Sequence, residues 1–257
     1  MKTVLKKICL LLLLMTCFGV SKCYALSNSS LTKLLTTDFA DGTVNPWGIQ
    51  ANADDISVVA DPINPSKKVM KAHININEDF SNVVNGSPRA EIVYTKQQLV
   101  NDNSYVITFK TYLPGNFQIE STYSSPHSFF QVHQNILTGS PQFSLQIDKN
   151  NYIMTSNSSD SATPQYKAVN KNLGTVNQDL GKWTEWTILY KPSYSANGQV
   201  VIWKNGLIVL NYKGICAYNN ITGYLKFGLY KWNWQKTSTT TSDITTYFSD
   251  IEVFQRK

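Results

Sequence analysis

The chain has 257 residues, of which 42% are hydrophobic, 12% are aromatic and 16% are charged. Its formal net charge is +6, but four of its lysines lie within residues 1–25, which contain no acidic residue. The remaining chain has 19 basic and 17 acidic residues, and therefore a net charge of +2. A charge this small gives no electrostatic basis for binding nucleic acid, which requires a strongly basic face.

The start of the chain has the layout of a secretory signal peptide. Residues 1–25 join a lysine-bearing start to an apolar run from Ile8 to Val20, and a small residue, Ala25, stands at the exit. This run is shorter than the roughly 20 apolar residues that a membrane-spanning helix needs, and no later stretch approaches that length. We therefore expect a secreted protein, extracellular or periplasmic, that is formed by residues 26–257 and has no membrane span.

Cysteine usage and length limit how the exported chain is held together. Three of the four cysteines lie in residues 1–25, so Cys216 is left alone and no intrachain disulfide can form in the exported chain. The remaining residues suffice to bury a core, and all-β sandwiches of this length are commonly single domains. No Pro/Gly-rich linker, charge block or repeat divides residues 26–257. We therefore expect one domain and a monomer.

Strand patterns recur along the chain, whereas helical spacing is hard to find beyond the leader. The dipeptide Asn205-Gly206 joins two apolar runs and tolerates the positive φ that a tight hairpin turn requires. Two polar stretches, Thr155–Gln165 and Lys236–Thr245, are predicted to be surface loops at the rim of a groove. Many short strands at near-regular spacing predict an all-β sandwich or barrel. In chain order, the predicted strands are Ile56–Ala60, Lys68–Asn77, Arg89–Tyr94, Ser104–Leu113, Ser128–His133, Gln142–Asp148, Trp183–Tyr190, Gln199–Trp203, Leu207–Tyr212, Tyr224–Trp232 and Thr246–Phe254.

Two of the predicted strands carry a polar pair on one face. Side chains alternate between the two faces of a strand, so Arg89 shares a face with Glu91, which can hold the guanidinium in a fixed direction. By the same alternation, Gln131 shares a face with His133. Taken alone, the first pair is more often a structural ion pair and the second an incidental feature of a half-exposed strand.

A third strand, Tyr224–Trp232, places an ammonium, a phenol and an indole around a glycine. Lys226, Gly228, Tyr230 and Trp232 share one face by alternation. A glycine inside a strand often marks the close approach of a ligand or another backbone. A solvated outer face with amphipathic aromatic residues explains the pattern about equally well.

Together the three segments contain the groups that β-elimination at a uronate requires. The reaction removes the proton α to the carboxylate and expels the 4-linked oxygen, so a catalyst must neutralise the carboxylate, provide a base and protonate the leaving group. Arg89 and Gln131 are candidates for the carboxylate. Either His133, which titrates near neutral pH, or an ionised Tyr230 can take the proton, and Tyr230 can return one. Spacing within a strand does not show which strands are neighbours, so the proximity of these segments is an assumption.

These motifs resemble those of the jelly-roll polysaccharide lyases, a superfamily that includes the alginate lyase, glucuronan lyase and heparin lyase I groups. Arg-Ala-Glu at 89–91, Gln-Val-His at 131–133 and Lys-Phe-Gly-Leu-Tyr-Lys at 226–231 carry the resemblance. The segment Phe248–Val253 is similar to the closing strand of that superfamily. The resemblance extends from about Asp38 to Phe254.

The resemblance implies a two-sheet β-sandwich, a concanavalin-like β-jelly roll whose concave face binds an acidic polysaccharide. By position, Arg89 and Gln131 match its carboxylate-neutralising residues, His133 its histidine and Tyr230 its catalytic tyrosine. Lys226 matches a lysine of the heparin lyase-like and glucuronan lyase-like members. We expect Lys226 to bind substrate, and the other candidates for this role are Trp232, His73 and Glu91.

Two further expectations come from the same resemblance. Alginate lyases of this fold usually carry a longer Arg-Ser/Thr-Glu-Leu-Arg run and a glutamine soon after the tyrosine. In this chain, the corresponding positions are occupied by Ile92-Val93 and Lys231-Trp232. This departure favours a glucuronan or a glycosaminoglycan-like chain over alginate. No cofactor is required, but members often hold a structural Ca²⁺, and Asp250 with Asp38 or Asp41 suits oxygen ligation.

The two other histidines have simpler explanations. His73 shares a face with Asn75 and Asn77 and is a candidate for lining the groove, although a polar outer face is the commoner reason for such a pattern. His127 shares the face of the Gln-x-His pair only if that strand begins early, and Pro126 favours a strand edge or a loop there. His127 is therefore a reserve candidate for the base.

Other functions make different demands on the sequence. A non-catalytic, lectin-like sandwich binds sugars on aromatic platforms, for which Trp232 or Trp234 would serve without any need for the catalytic set. A glycoside hydrolase requires two carboxylates that flank the bond, and the selected faces offer only Glu91. A structural secreted protein is the remaining alternative if the motifs are scattered in the fold.

Overall fold

The computed structural model describes residues 30–122, 125–135, 139–159 and 167–257. These residues form strands with two short 3-10 helices, Val84–Gly86 and Trp234–Lys236, which confirms the predicted all-β class. The leader, residues 1–25, lies outside the described residues, so its removal stays a prediction. No helix within the described ranges is long and apolar enough to cross a membrane.

The strands of the described ranges cover most of their length. In chain order they are β1 Leu31–Thr37, β2 Gly48–Gln50, β3 Ile56–Ala60, β4 Lys68–Asn75, β5 Arg89–Leu99, β6 Ser104–Tyr112, β7 His127–Gln134, β8 Phe143–Asp148, β9 Asn151–Ser158, β10 Lys167–Thr175, β11 Trp183–Lys191, β12 Gln199–Lys204, β13 Leu207–Lys213, β14 Gly223–Tyr230 and β15 Asp243–Arg256.

These strands form two antiparallel sheets packed as a sandwich. Sheet A has the order β13-β12-β11-β6-β15-β4-β3, with β1 paired to β15. Sheet B has the order β10-β9-β8-β7-β14-β5-β2. In sheet B, β14 lies between β7 and β5, although about 90 residues of chain separate β14 from β7. The three polar motifs therefore occupy adjacent strands.

Aromatic rings between the sheets fix which face of sheet B is polar. The ring of Phe227 in β14 lies 5.0 Å from that of Phe109 in β6 and 4.9 Å from that of Phe130 in β7. Phe109 in turn stacks on Trp186 of β11. All four are buried, and large aromatic side chains contribute strongly to the stability of such a core. Because side chains alternate, the residues between these positions point away from the core.

The structure differs from the strand predictions at four strands and one loop. The sequence patterns do not predict β1, β2, β9 or β10. The predicted loop Thr155–Gln165 is wrong at its start, since Thr155–Ser158 completes β9, and residues 160–166 lie outside the described residues. In β9, polar side chains are compatible with a strand because the backbone groups bond to β8 and β10 on either side.

The remaining turn predictions agree better with the structure. Asn205 and Gly206 both have positive φ, 51° and 81°, in the hairpin that joins β12 to β13. The second predicted loop is shorter than Lys236–Thr245, because Lys236 ends a 3-10 helix and Asp243 begins β15.

Candidate active site

A groove of about 500 Å³ crosses the polar face of sheet B. Its lining comes from β5, β7 and β14, the strands of the three motifs, from β2, β8 and β9, and from the segments that connect the strands. The lining residues are Gln50, Val84, Asn85, Arg89, Pro126, Ser128, Gln131, His133, Gly139, Ser140, Pro141, Ser144, Gln146, Thr155, Asn157, Tyr224, Lys226, Tyr230 and Trp232.

Glu91 lies at the centre of a buried group beneath this groove. Its Oε2 accepts hydrogen bonds from Lys226 Nζ at 2.8 Å and from Arg89 Nη1 at 3.4 Å. Its Oε1 accepts one from Gln131 Nε2 at 2.5 Å. Arg89 Nη1 also donates to Gln50 Oε1 at 3.3 Å. One carboxylate thus gathers three of the side chains selected from sequence.

This group carries an excess of positive charge where a substrate has to bind. Lys226 and Arg89 are two cations against the single anion Glu91, and the side chains of all three are at most 4% exposed. Burial lowers the pKa of the Lys226 ammonium, the guanidinium of Arg89 lowers it further, and the carboxylate of Glu91 opposes both. Arg89 and Lys226 line the groove whereas Glu91 does not, so the groove presents the cationic side.

His133 is held in one tautomer by the backbone. Its Nδ1 lies 3.0 Å from the carbonyl oxygen of Gln134, and a carbonyl can only accept, so Nδ1 carries the hydrogen in the neutral ring. This leaves Nε2 as the nitrogen that can take a proton. Burial lowers the pKa of His133 below its ordinary value of 6.5, with the Gln134 carbonyl opposing. The neutral ring, which is the form a general base requires, is therefore favoured.

Tyr230 lies under the guanidinium of Arg89. The centre of its ring is 4.3 Å from Arg89 Cζ, a cation–π distance. Burial raises the pKa of the Tyr230 phenol, and the charge of Arg89 opposes that rise. Tyr230 therefore keeps its proton at neutral pH and can donate it.

The pairing register sets the backbones of His133 and Tyr230 apart along the groove, so the two residues can serve one sugar only if their side chains extend towards each other. His133 lies opposite Tyr224 in β14, whereas Tyr230 lies opposite Ser128 in β7 and Arg89 in β5. Ser128 and His133 are five residues apart, which corresponds to about 16 Å of strand. Of the four residues predicted to surround one uronate, Arg89 and Gln131 meet around Glu91, while His133 and Tyr230 flank them.

The two tryptophans after β14 have different surroundings. Trp232 lies just beyond the end of the strand, lines the groove and is 51% exposed, so it offers an open aromatic face. Trp234 is fully buried, and its indole N–H donates to the Thr241 carbonyl oxygen at 3.1 Å. Trp234 is therefore a core residue, and its suggested role as a sugar platform is wrong.

The structure does not bring His73 to the groove. His73 belongs to β4 of sheet A, and its Nε2 lies 2.8 Å from Asp243 Oδ2 at the start of β15. The alternation that grouped it with Asn75 is correct, but nothing in that pattern specifies the sheet to which the strand belongs. The expectation that His73 lines the cleft is corrected on this ground.

His127 also lies outside the groove lining. It is the first residue of β7, is 4% exposed, and its ring packs 5.8 Å from that of Phe117. Burial, followed by the charge of Lys231, lowers the pKa of His127 to about 3. A group with such a pKa is a weak base, so His127 does not serve as the reserve candidate.

The carboxylates suggested for Ca²⁺ are engaged elsewhere. Asp250 Oδ2 lies 2.6 Å from Lys110 Nζ, whose charge opposes a cation there. Asp38 accepts the backbone N–H of Ala40, and Asp41 accepts that of Thr43. The calcium site expected at these residues stays a prediction.

Sequence reasoning missed several residues of the groove. Gln50 supports Arg89 from β2, a three-residue strand whose pattern is too short to recognise. Asn157 belongs to β9, which its polarity assigns to a loop. Tyr224 could have been predicted from the sequence, because alternation places it on the same strand face as Lys226. In the structure its ring lies 5.3 Å from that of His133.

Comparisons with known proteins include a family model and solved structures of lyases. A family model described as polysaccharide lyase matches residues 39–252. The solved structure of an endo-β-1,4-glucuronan lyase from the fungus Trichoderma reesei is 16% identical, with a TM-score of 0.71 over 86% of this chain and 95% of that one. The alginate lyase A1-II' is 13% identical, with a TM-score of 0.54 over 80% and 85% of the two chains. At these identities the structures establish the fold alone. No curated protein sequence matches the chain.

Proposed function

The chain belongs to the polysaccharide lyase family, and from that membership we propose that it cleaves a uronate-containing polysaccharide by β-elimination in the groove of sheet B. The observation that carries the proposal is the buried group around Glu91, which holds Arg89, Lys226 and Gln131 in place where they line the groove. An acidic polysaccharide is the substrate that such a cationic groove suits.

The first task of this group is to neutralise the uronate carboxylate. Arg89 and Lys226 provide positive charge, and the amide of Gln131 provides polar contacts beside them. Stabilising charge on the carboxylate stabilises the enolate-like transition state formed when the α proton leaves. Because Glu91 already fixes these side chains, little reorganisation is needed when the substrate binds.

Proton transfer is then divided between the two flanking residues. His133 Nε2 takes the proton from C5, the electron pair of that bond forms the C4=C5 double bond, and the bond from C4 to the linking oxygen breaks. The phenol of Tyr230 gives its proton to that oxygen. The neutral His133 and protonated Tyr230 favoured by their shifted pKa values support this assignment.

The substrate class is narrower than uronates in general. The Ile92-Val93 and Lys231-Trp232 segments differ from the alginate lyase pattern, and the glucuronan lyase structure superimposes with a higher TM-score than the alginate lyase structure. Both observations favour a glucuronan or a glycosaminoglycan-like chain. Trp232, exposed at the groove, offers a stacking surface for a neighbouring sugar. The signal-like leader supports an exported enzyme that acts on an extracellular polymer.

The test is a lyase assay on the exported chain, residues 26–257. Glucuronan, alginate, heparan sulfate and hyaluronan are each incubated with the protein, and the ultraviolet absorbance of the unsaturated uronate product is followed. We expect one glucuronate-containing polymer to be cleaved, and Tyr230→Phe to lower kcat by about 10²–10⁴-fold while binding is retained. Tyr212→Phe is the matched control, because it removes a phenol oxygen from β13 of sheet A and should leave the rate unchanged.

Three results would contradict this assignment. Cleavage of alginate alone would overturn the substrate class. Full activity in Tyr230→Phe would show that Tyr230 takes no part in the reaction. Binding without cleavage of any polymer would favour the lectin-like alternative, in which Trp232 provides a sugar-binding surface.

A further inference from the structure

Three potential metal ligands converge at the edge of sheet A, away from the groove. Asp55 precedes β3, His73 lies in β4, and Glu78 follows β4 in the turn. One ligand atom from each lies within 4.8 Å of the others. None of the three lines the groove of sheet B. The reaction proposed above gives this cluster no role.

Asp55 differs from the residues of an ordinary surface cluster of acidic groups, because it is buried. It is 6% exposed, and its Oδ2 has no hydrogen-bond partner among the described residues. A buried acceptor without a partner is costly, and a second carboxylate at the same place increases the cost. A cation bound here would give this oxygen a partner and would offset the repulsion between the two carboxylates.

His73 is oriented as a metal-binding histidine commonly is. Its Nε2 lies 2.8 Å from Asp243 Oδ2, which leaves Nδ1 free to bind a cation. Histidines that bind metals usually donate their other ring N–H to a carboxylate, which fixes the tautomer. Glu78 is positioned in a similar way, since its Oε1 accepts the backbone N–H of Asn75 at 2.7 Å.

We propose that Asp55, His73 and Glu78 bind a divalent cation of the zinc class, with water completing the coordination. Two carboxylate oxygens and one imidazole nitrogen form a donor set that Zn²⁺ accepts at about 2.0–2.2 Å. Ca²⁺ and Mg²⁺ prefer oxygen ligands alone, so the imidazole selects against both. The small closure that tetrahedral coordination needs is available at a turn and a strand edge.

The bound cation has a structural role in this position. It joins the start of β3 to the end of β4, and through Asp243 to the start of β15. The same turn is tied to the segment that follows Trp232, because Gln235 Nε2 donates to the Glu78 carbonyl oxygen at 2.8 Å. Metal binding therefore stabilises the edge of sheet A.

The experiment measures metal binding directly on untagged residues 26–257 after treatment with a chelator and dialysis. Isothermal titration with ZnCl₂ should give one site per chain. At a zinc concentration about 100 times the Kd, Tm should rise by about 5–10 °C. CaCl₂ at the same concentration should leave Tm unchanged. Tyr230→Phe should bind zinc like the unaltered protein, so a failure of the proposed catalysis does not affect this result.

Three substitutions make the test specific. Asp55→Asn keeps the shape of the side chain and removes the repulsion with Glu78, so the metal-free protein should fold with an equal or higher Tm, while the response to zinc is lost. Asp243→Asn should weaken zinc binding by about 10–100-fold, because it alters the partner of His73 and leaves the three proposed ligands in place. Asp54→Asn is the matched control, since it removes an exposed neighbouring carboxylate and should leave binding unchanged.

Several outcomes would overturn the proposal. One is the absence of zinc binding in the unaltered protein, which would leave Asp55 and Glu78 as a pair that shares a proton. Another is equal zinc binding by the unaltered protein and Asp55→Asn, which would place the cation elsewhere. A Tm response to CaCl₂ and not to ZnCl₂ would refute the assigned class of cation.

Discussion

Glu91 carries a negative charge beneath the groove that we propose binds an acidic substrate. Its presence is explained by its three donors, because Arg89, Gln131 and Lys226 would otherwise have no common anchor. A buried ion pair contributes little net stability, but removing one partner leaves the other as an uncompensated buried charge. In the proposed function, the role of Glu91 is therefore to position the two cations, and the expectation that Glu91 itself binds substrate is corrected because it does not line the groove.

Glu91→Gln tests this role at a single carboxylate. The substitution preserves size and leaves the Lys226 and Arg89 charges unpaired, so we expect the free energy of unfolding to fall by about 3–5 kcal/mol. Urea denaturation measures this change. The matched control is Glu252→Gln, which breaks the exposed ion pair with Lys33 and should cost less than about 1 kcal/mol. Equal losses in the free energy of unfolding would show that the group around Glu91 is no more important for stability than an exposed ion pair.

The role of His133 predicts a specific pH dependence. Because its pKa in the folded protein lies below the ordinary 6.5, the neutral base persists into mildly acidic solution. We expect kcat/KM to be independent of pH near neutrality and to fall only as the pH drops through a midpoint below 6.5. His133→Gln should lower kcat/KM by about 10²–10⁴-fold and abolish this acidic limb. An acidic limb that persists in His133→Gln would assign the titration to another group and contradict the base assignment.

At the level of elements, the shape of β14 depends on Gly228. This residue has a φ of +136°, and a Cβ atom there would lie 2.7 Å from Glu91 Cα in β5. The register of β14 against β7 shifts between Phe227 and Tyr230, so the strand bulges immediately before the candidate acid. Gly228 thus permits the close approach of β5 and directs Tyr230 into the groove.

Gly228→Ala should therefore affect activity as well as stability. We expect the free energy of unfolding to fall by at least about 2 kcal/mol, from backbone strain and overpacking together. Activity should fall further than the loss of folded protein explains, because Tyr230 moves. Thermal unfolding and kcat measured on the folded fraction distinguish the two effects. Gly206→Ala is the control, since it has positive φ but no atom within 4 Å of the added Cβ. A normal kcat in Gly228→Ala would show that the bulge in β14 does not affect catalysis.

Alternation within a strand was the part of the site that sequence could predict. It correctly places Gln131 and His133 on one face and Phe130 on the other, because side-chain direction follows local backbone geometry. It cannot determine the pairing of strands, which depends on long-range packing, so it could not exclude His73 from the groove. It also fails at β9, where backbone bonding to two neighbouring strands outweighs a polar composition.

At the scale of the whole molecule, the sandwich brings together residues that are far apart in the chain. Arg89 and Tyr230 are separated by about 140 residues, yet they are paired directly across β5 and β14. The ring cluster of Phe109, Phe130 and Phe227 holds sheet B against sheet A from below. The core therefore determines the spacing of the groove residues. The positive charge available to a substrate comes from a few cations in the groove and not from a broad basic surface.

This arrangement predicts that cleavage is only weakly sensitive to salt. Exposed cations that hold a polyanion are screened within about 10 Å at 0.1 M salt, and buried ones are screened much less. Residues 26–257 have a net charge of only +2, and Arg89 and Lys226 are buried. We therefore expect kcat/KM to change by less than about tenfold between roughly 50 and 500 mM NaCl, measured on the polymer that the enzyme cleaves. A decline of several orders of magnitude would mean that exposed lysines elsewhere on the surface capture the substrate. Repeating the series with a short oligosaccharide would test this, because a ligand confined to the groove should lose such extra sensitivity.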